Sequence, residues 1–167
     1  MRNLAIGIFV ATFVLLLFQP LVETTNLFTE KVALDAAVMN SCRAAQKNSL
    51  MGSSLRDLNA SVQEALFRQY FAESFSKTLG LDIVDKISSP MLFRSSDGKS
   101  KWGQMTVALE WLEEESDDFD ARVVTKVNVK VETPYAFKTD ILKRAVGKPG
   151  HRYVLKEETT FVLQVVN

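Results

Sequence analysis

The chain has few of the groups that most site chemistry needs. It holds one cysteine, Cys42, and one histidine, His151. That excludes a disulfide framework, a Cys/His zinc site and a Cys/His relay of the usual kinds. Glycine and proline are scarce, at 7 and 4 of 167 residues, so collagen-like repeats and low-complexity linkers are excluded too. Neither sign of charge dominates. Lys+Arg and Asp+Glu stand at 20 each, which leaves no global basic field for nucleic acid phosphates. Apolar residues at 47% and charged residues at 24% exclude a disordered chain and suit one small domain plus an anchor. Composition therefore points away from an enzyme.

What is present begins with an apolar run. Leu4 to Phe18 reads LAIGIFVATFVLLLF without a charge, and the first acid is Glu23. The 19 residues from Leu4 to Val22 make roughly 28 Å of helix, close to the roughly 30 Å hydrocarbon layer of a bilayer. The 15-residue core also suits a signal peptide, but no A-x-A-like site follows it; Val22-Glu23-Thr24 is a poor substitute. An uncleaved anchor in contact with membrane lipid through residues 4–22 is the expectation, with a removed signal peptide as the alternative. Arg2 and the terminal amine lie ahead of the run, which keeps the N-terminus cytoplasmic and the remainder extracytoplasmic. That remainder, residues 23–167, has 19 basic and 20 acidic side chains.

The segment from Asn26 to Leu50 is Ala-rich and lacks Gly and Pro, so a helical stalk is expected, with a kink at Pro20. Phe28, Val32, Ala36 and Met39 fall at helical spacing, as do Leu34, Val38 and Ala45. The small residues Ala33, Ala36, Ala37, Ala44 and Ala45 admit a neighbouring helix, either this chain's own or another subunit's. Met51-Gly52-Ser53-Ser54 breaks the pattern. A second helix is expected from near Ser61, with Ser61 and Glu64 at capping-box spacing. Phe67, Phe71, Phe75 and Leu79 form its i, i+4 stripe, and Gly80 closes it.

Three later segments alternate with period two. They are Met105 to Trp111, Val123 to Val131 and Thr160 to Val165. Met91 to Arg94 reads as a shorter strand before a turn at Ser95 to Lys99, and Asp140 to Val146 as a short helix. The expected fold class is α+β. An N-terminal transmembrane helix continues into a stalk, and a second helix packs on an antiparallel sheet. The organisation expected is an anchor at 1–22, helices at 23–80 and a sheet domain at 81–167.

Candidate chemistry is thin. Glu110, Glu113, Glu114, Glu115, Asp117, Asp118 and Asp120 form an acidic segment that reads as a solvated hairpin end, with calcium as the sharper option. Residues 138 to 156 carry Lys138, Lys143, Arg144, Lys148, Arg152 and Lys156 against Asp140 alone. Two opposite patches on a nearly neutral chain can guide self-association or a specific partner. His151 reads as a loop residue, and Cys42 as a small packing residue, with an intermolecular disulfide as the alternative. Asn59-Ala60-Ser61 matches the glycosylation sequon. No catalytic, cofactor-binding or metal-ligating residue is assigned.

The layout resembles a family. A short anchor, the Ala-rich helix EKVALDAAVMNSCRAA and a β-rich end are the plan of type IV pilin-like proteins. The segment VTKVNVKVETPYAFKTDILKRAVG, followed by YVLKEETTFVLQVV, is similar to the C-terminal pattern of the TadE/TadG-like pseudopilin group of tight-adherence pilus systems. The resemblance implies a structural subunit of a bacterial pilus or secretion assembly, with other assembly subunits as partners. Processing in such systems typically follows a Gly, with an acid a few residues on. Here Gly7 is followed by Thr12 where Glu is expected, which points to an uncleaved minor or accessory subunit. The rival readings are an anchored extracytoplasmic binding or sensing domain that does not polymerise, and a secreted enzyme.

Overall fold

The computed structural model describes residues 2–49, 62–95, 102–115, 122–146 and 153–163. Helix α1 spans Arg2–Ser49 and α2 spans Glu64–Leu79. Strands β1 (Leu81–Asp85), β2 (Met91–Ser95), β3 (Gln104–Glu115) and β4 (Arg122–Tyr135) follow. The short α3 (Asp140–Val146) precedes β5 (Tyr153–Val162). The fold is α+β: a five-stranded antiparallel sheet in the order β1-β2-β3-β4-β5, with α1 and α2 packed on one face.

α1 is a single element of 48 residues, roughly 72 Å long at about 1.5 Å per residue. It is continuous through the position of the expected kink at Pro20 and across the boundary drawn at residue 22. Thr12 donates its hydroxyl to the Ile8 carbonyl at 2.8 Å, so the polar group inside the apolar run is satisfied locally. Of the two apolar rows at helical spacing, only one faces the core. Leu34, Val38, Cys42 and Ala45 are fully buried, whereas Phe28 and Val32 are 68% and 53% exposed.

α2 lies antiparallel to α1. Leu79 lines a groove with Ala33, Ala36 and Ala37, while Phe67, at the other end of α2, meets Trp111 far along β3. Its Phe stripe is the centre of the core, with Phe67, Phe71 and Phe75 fully buried. Phe75 meets Phe93 of β2 edge-on at 5.2 Å, and Phe67 meets Trp111 in the same way at 5.4 Å. Gly80 ends the helix in the left-handed conformation, at φ 65°, and its N–H bonds back to the Ser76 carbonyl. The start differs from expectation: α2 begins at Glu64, and its N-cap is Gln63, which makes no side-chain capping bond. Ser61, the sequon, Met51 to Ser54, the turn residues 96–99, Asp117, Asp118, Asp120, Lys148, His151, Arg152 and Val165 lie outside the described residues.

The sheet follows from its alternation. Met105, Val107 and Leu109 of β3 and Val127, Val129 and Val131 of β4 face the helices and are buried. The opposite face is polar. Lys130 contacts both carboxylate oxygens of Glu110 at 2.8 Å and lies 3.6 Å from Glu158. The bond to Glu110 raises the Lys130 pKa above its ordinary value. Two features depart from the sequence reading. β1 is a fifth strand, and β5 begins at Tyr153 rather than near Thr160. KEETT has too little apolar content to read as strand; its glutamates are matched across the sheet and to α1, where Lys31 pairs with Glu157 at 3.4 Å.

Candidate functional site

The first functional feature is the free half of α1. Among the described residues it is the one helix long and apolar enough to cross a membrane, and the apolar stretch is wholly unburied. Leu4, Phe9 and Leu15 are each more than 70% exposed. The uncovered apolar surface does not stop at Val22. Val14, Leu21, Phe28 and Val32 stand on one helical face, at steps of 7, 7 and 4 residues, and all four are exposed. Beside this stripe the exposed or half-buried Ala33 and Ala36 open a groove of about 570 Å³ against Leu79 and Trp102.

The second feature lies where α1 meets the sheet. β5 runs parallel to α1: Lys31 pairs with Glu157, Asp35 with Thr159 and Gln46 with Leu163. Tyr153, the start of β5, therefore lies toward the apolar half of α1, together with Tyr135 at the end of β4. Glu23 is the first residue after the apolar run, and it is buried there. Its carboxylate accepts the Thr139 N–H at 2.9 Å, and also the Lys138 N–H and the Thr139 hydroxyl. These bonds set a carboxylate against the two residues that lead into α3, at the helix end that favours negative charge. Tyr135, Phe137 and Tyr153 form an aromatic row, with centroids 5.1 and 5.6 Å apart. Burial, with the charges of Glu30 and Glu23, raises the Tyr135 pKa. A groove of about 1080 Å³ opens here, between Phe18, Val22 and Asn26 of α1 and Gln104, Pro134 and Tyr135.

The charge patches separate to opposite ends of the sheet. Glu113, Glu114 and Glu115 pair with Val124, Val123 and Arg122 respectively at the far end of the β3/β4 hairpin. Lys138, Lys143 and Arg144 lie at the α3 end, where Lys143 pairs with Asp140 at 3.1 Å. The 14 residues of β4 separate the two ends by roughly 43 Å at about 3.3 Å per residue. Glu110 is held in the cross-strand ladder by Lys130. Among the described residues no group of three His, Cys, Asp or Glu could hold a metal ion. Cys42 is buried and unpaired, and burial pushes its thiol up to about 12. The sequence signal for the Glu23 bonds was slight: one acid directly after an apolar run, and Thr139 ahead of a short helix.

Compared with known protein families, curated proteins and solved structures, the chain matches none.

Proposed function

We propose that the chain is a structural, minor or accessory pilin-like subunit of a bacterial pilus or secretion assembly. It is held in the membrane by residues 4–22 and acts by packing rather than catalysis. The N-terminus is cytoplasmic and the sheet domain extracytoplasmic. One observation carries the reading: the exposed apolar stripe of α1 is longer than a membrane anchor needs. An anchor alone needs apolar surface as far as Val22, yet Phe28 and Val32 continue it by ten residues, or roughly 15 Å. Uncovered apolar surface of this kind fits a protein contact, and the small residues beside it let a second helix approach closely. The resemblance to TadE/TadG-like pseudopilins supports the same reading, with other pilus or secretion-assembly subunits as partners. The groove at Phe18, Val22 and Tyr135 favours a second reading, an anchored binding or sensing domain that does not polymerise.

Cysteine cross-linking of the full chain in its native membranes separates the two. A cysteine at Phe28 or Val32 is expected to give disulfide-linked copies or adducts with other assembly subunits. A control cysteine at Glu73, on the exposed face of α2, is expected to give none. The double change Phe28→Glu and Val32→Glu should abolish assembly while the domain stays folded. Equal, negligible cross-linking at positions 28, 32 and 73 overturns the subunit reading and leaves the anchored domain. A gene neighbourhood with an assembly ATPase and a polytopic platform protein supports the first reading independently.

A further inference from the structure

We propose that the α3 corner is a second membrane contact, seated on the headgroups of anionic phospholipids. The inference rests on the reading of residues 4–22 as the anchor. Its starting point is the bonds made by Glu23. The apolar run ends at Val22, and its roughly 28 Å matches the roughly 30 Å hydrocarbon layer. Glu23 therefore stands at the edge of that layer. By accepting from the backbone of Lys138 and Thr139, it fixes the start of α3 at the same level. α3 has seven residues, roughly 10 Å of helix, comparable with the roughly 5–8 Å thickness of one headgroup layer.

The groups held at that level suit a lipid surface. Lys138 and Arg144 supply exposed cations, and Lys143 adds a third that is shared with Asp140 at 3.1 Å. The acids on the packed elements face inward or are paired: Glu23 is buried and accepts from Lys138 and Thr139, Asp140 is paired with Lys143, and Glu30 is half-buried on α1, where with Glu23 it acts on Tyr135. Ile141 is 49% exposed, and Tyr153 and Val154 are partly exposed beside the aromatic row. Tyrosines and aliphatic side chains next to cations are the mixture that settles at a membrane interface. Each cation near an anionic leaflet favours the docked state roughly fivefold.

A second copy's acidic hairpin is the rival occupant, and the geometry disfavours it. That hairpin lies roughly 43 Å along the sheet from the α3 end. A copy anchored in the same bilayer would have to invert to bring its hairpin down to this level. The distance also exceeds the roughly 8 Å screening length, so the acidic end does not repel the membrane that the basic end contacts.

The test uses the full chain reconstituted in vesicles of phosphatidylcholine alone or mixed with phosphatidylglycerol. A spin label is placed at Ile141→Cys, with Leu15→Cys in the apolar run and Leu112→Cys near the far end of β3 as references. Depth is read from relative accessibility to oxygen and to a soluble nickel chelate. The label at 141 is expected at headgroup depth in the mixed vesicles. It should move toward water in phosphatidylcholine alone, and again when Lys138, Lys143 and Arg144 are replaced by Glu. The lipid comparison needs no further change to the protein, so misfolding of the charge-reversed variant does not decide the result. If label 15 lies in the hydrocarbon while 141 is as water-exposed as 112 in both lipids, the second contact is refuted and the anchor stands. If label 15 is itself in water, the anchor reading fails and this proposal falls with it. A label at 141 shielded from both reagents whatever the lipid marks a protein contact and also overturns the proposal.

Discussion

Replacing Phe71 with alanine is the sharpest test of the packing. The side chain is fully buried and stacked between Phe67 at 6.4 Å and Phe75 at 5.5 Å. Losing its transfer from water costs about 2–3 kcal/mol. Removing roughly 100 Å³ of side chain adds up to about 2.4 kcal/mol at about 24 cal/mol per Å³, less whatever the helix pair recovers by collapsing. The expected destabilisation is about 3–5 kcal/mol, against a total of roughly 5–15 kcal/mol for a domain. The same change at Phe28, which is 68% exposed on α1, is expected to cost less than about 0.5 kcal/mol. Urea unfolding of the full chain in a mild nonionic detergent measures both. Tryptophan fluorescence reports the transition, because the Trp111 ring packs on Phe67. If the two alanine variants unfold at the same urea concentration, the Phe stripe does not organise the core, and the assignment of faces on α1 and α2 is wrong.

Three further outcomes follow from the geometry. Glu23→Ala should leave the Lys138 and Thr139 N–H groups without an acceptor, at a cost of about 1–3 kcal/mol; amide exchange across α3 should speed up, and unchanged exchange refutes the role given to Glu23. Cys42, with its thiol pushed up to about 12 by burial, should ignore a water-soluble thiol reagent at neutral pH until urea unfolds the domain, so prompt labelling of the native chain contradicts its place in the core. Asp85 accepts from the Ser88 hydroxyl and from the Ile87 and Ser88 N–H groups, which lowers its pKa from the ordinary aspartate value. A lowered acid pKa stabilises the fold above its unfolded value and loses that effect as pH falls through the folded one. The β1/β2 connection should therefore loosen first in strong acid, and Asp85→Ala should remove that pH dependence; persistence of the Ile87 and Ser88 amide signals through this range in the unaltered chain would count against it.

The sequence alone determined whatever depends on local periodicity. The apolar run is read directly, since 19 residues without a charge need no partner to be recognised. The i, i+4 spacing of Phe67, Phe71 and Phe75 identified the core face of α2, and Gly80 supplied the φ that its end requires. Alternating valines in β4 placed Val127, Val129 and Val131 on one face. Tertiary structure decided what periodicity leaves degenerate. α1 offers two apolar rows of similar strength, and only contact with α2 and β5 selects Leu34, Val38 and Ala45, leaving Phe28 and Val32 outside. β5 looks too polar to be a strand until Lys31 and Lys130 lie within 4 Å of its glutamates. Glu23 and Thr139 are 116 residues apart, and no local pattern joins them. Their meeting depends on the direction in which the sheet returns along the helix. That direction also sends the acidic and basic segments to opposite ends of the domain, because long-range pairing is fixed by burial summed over the whole chain rather than by any one segment.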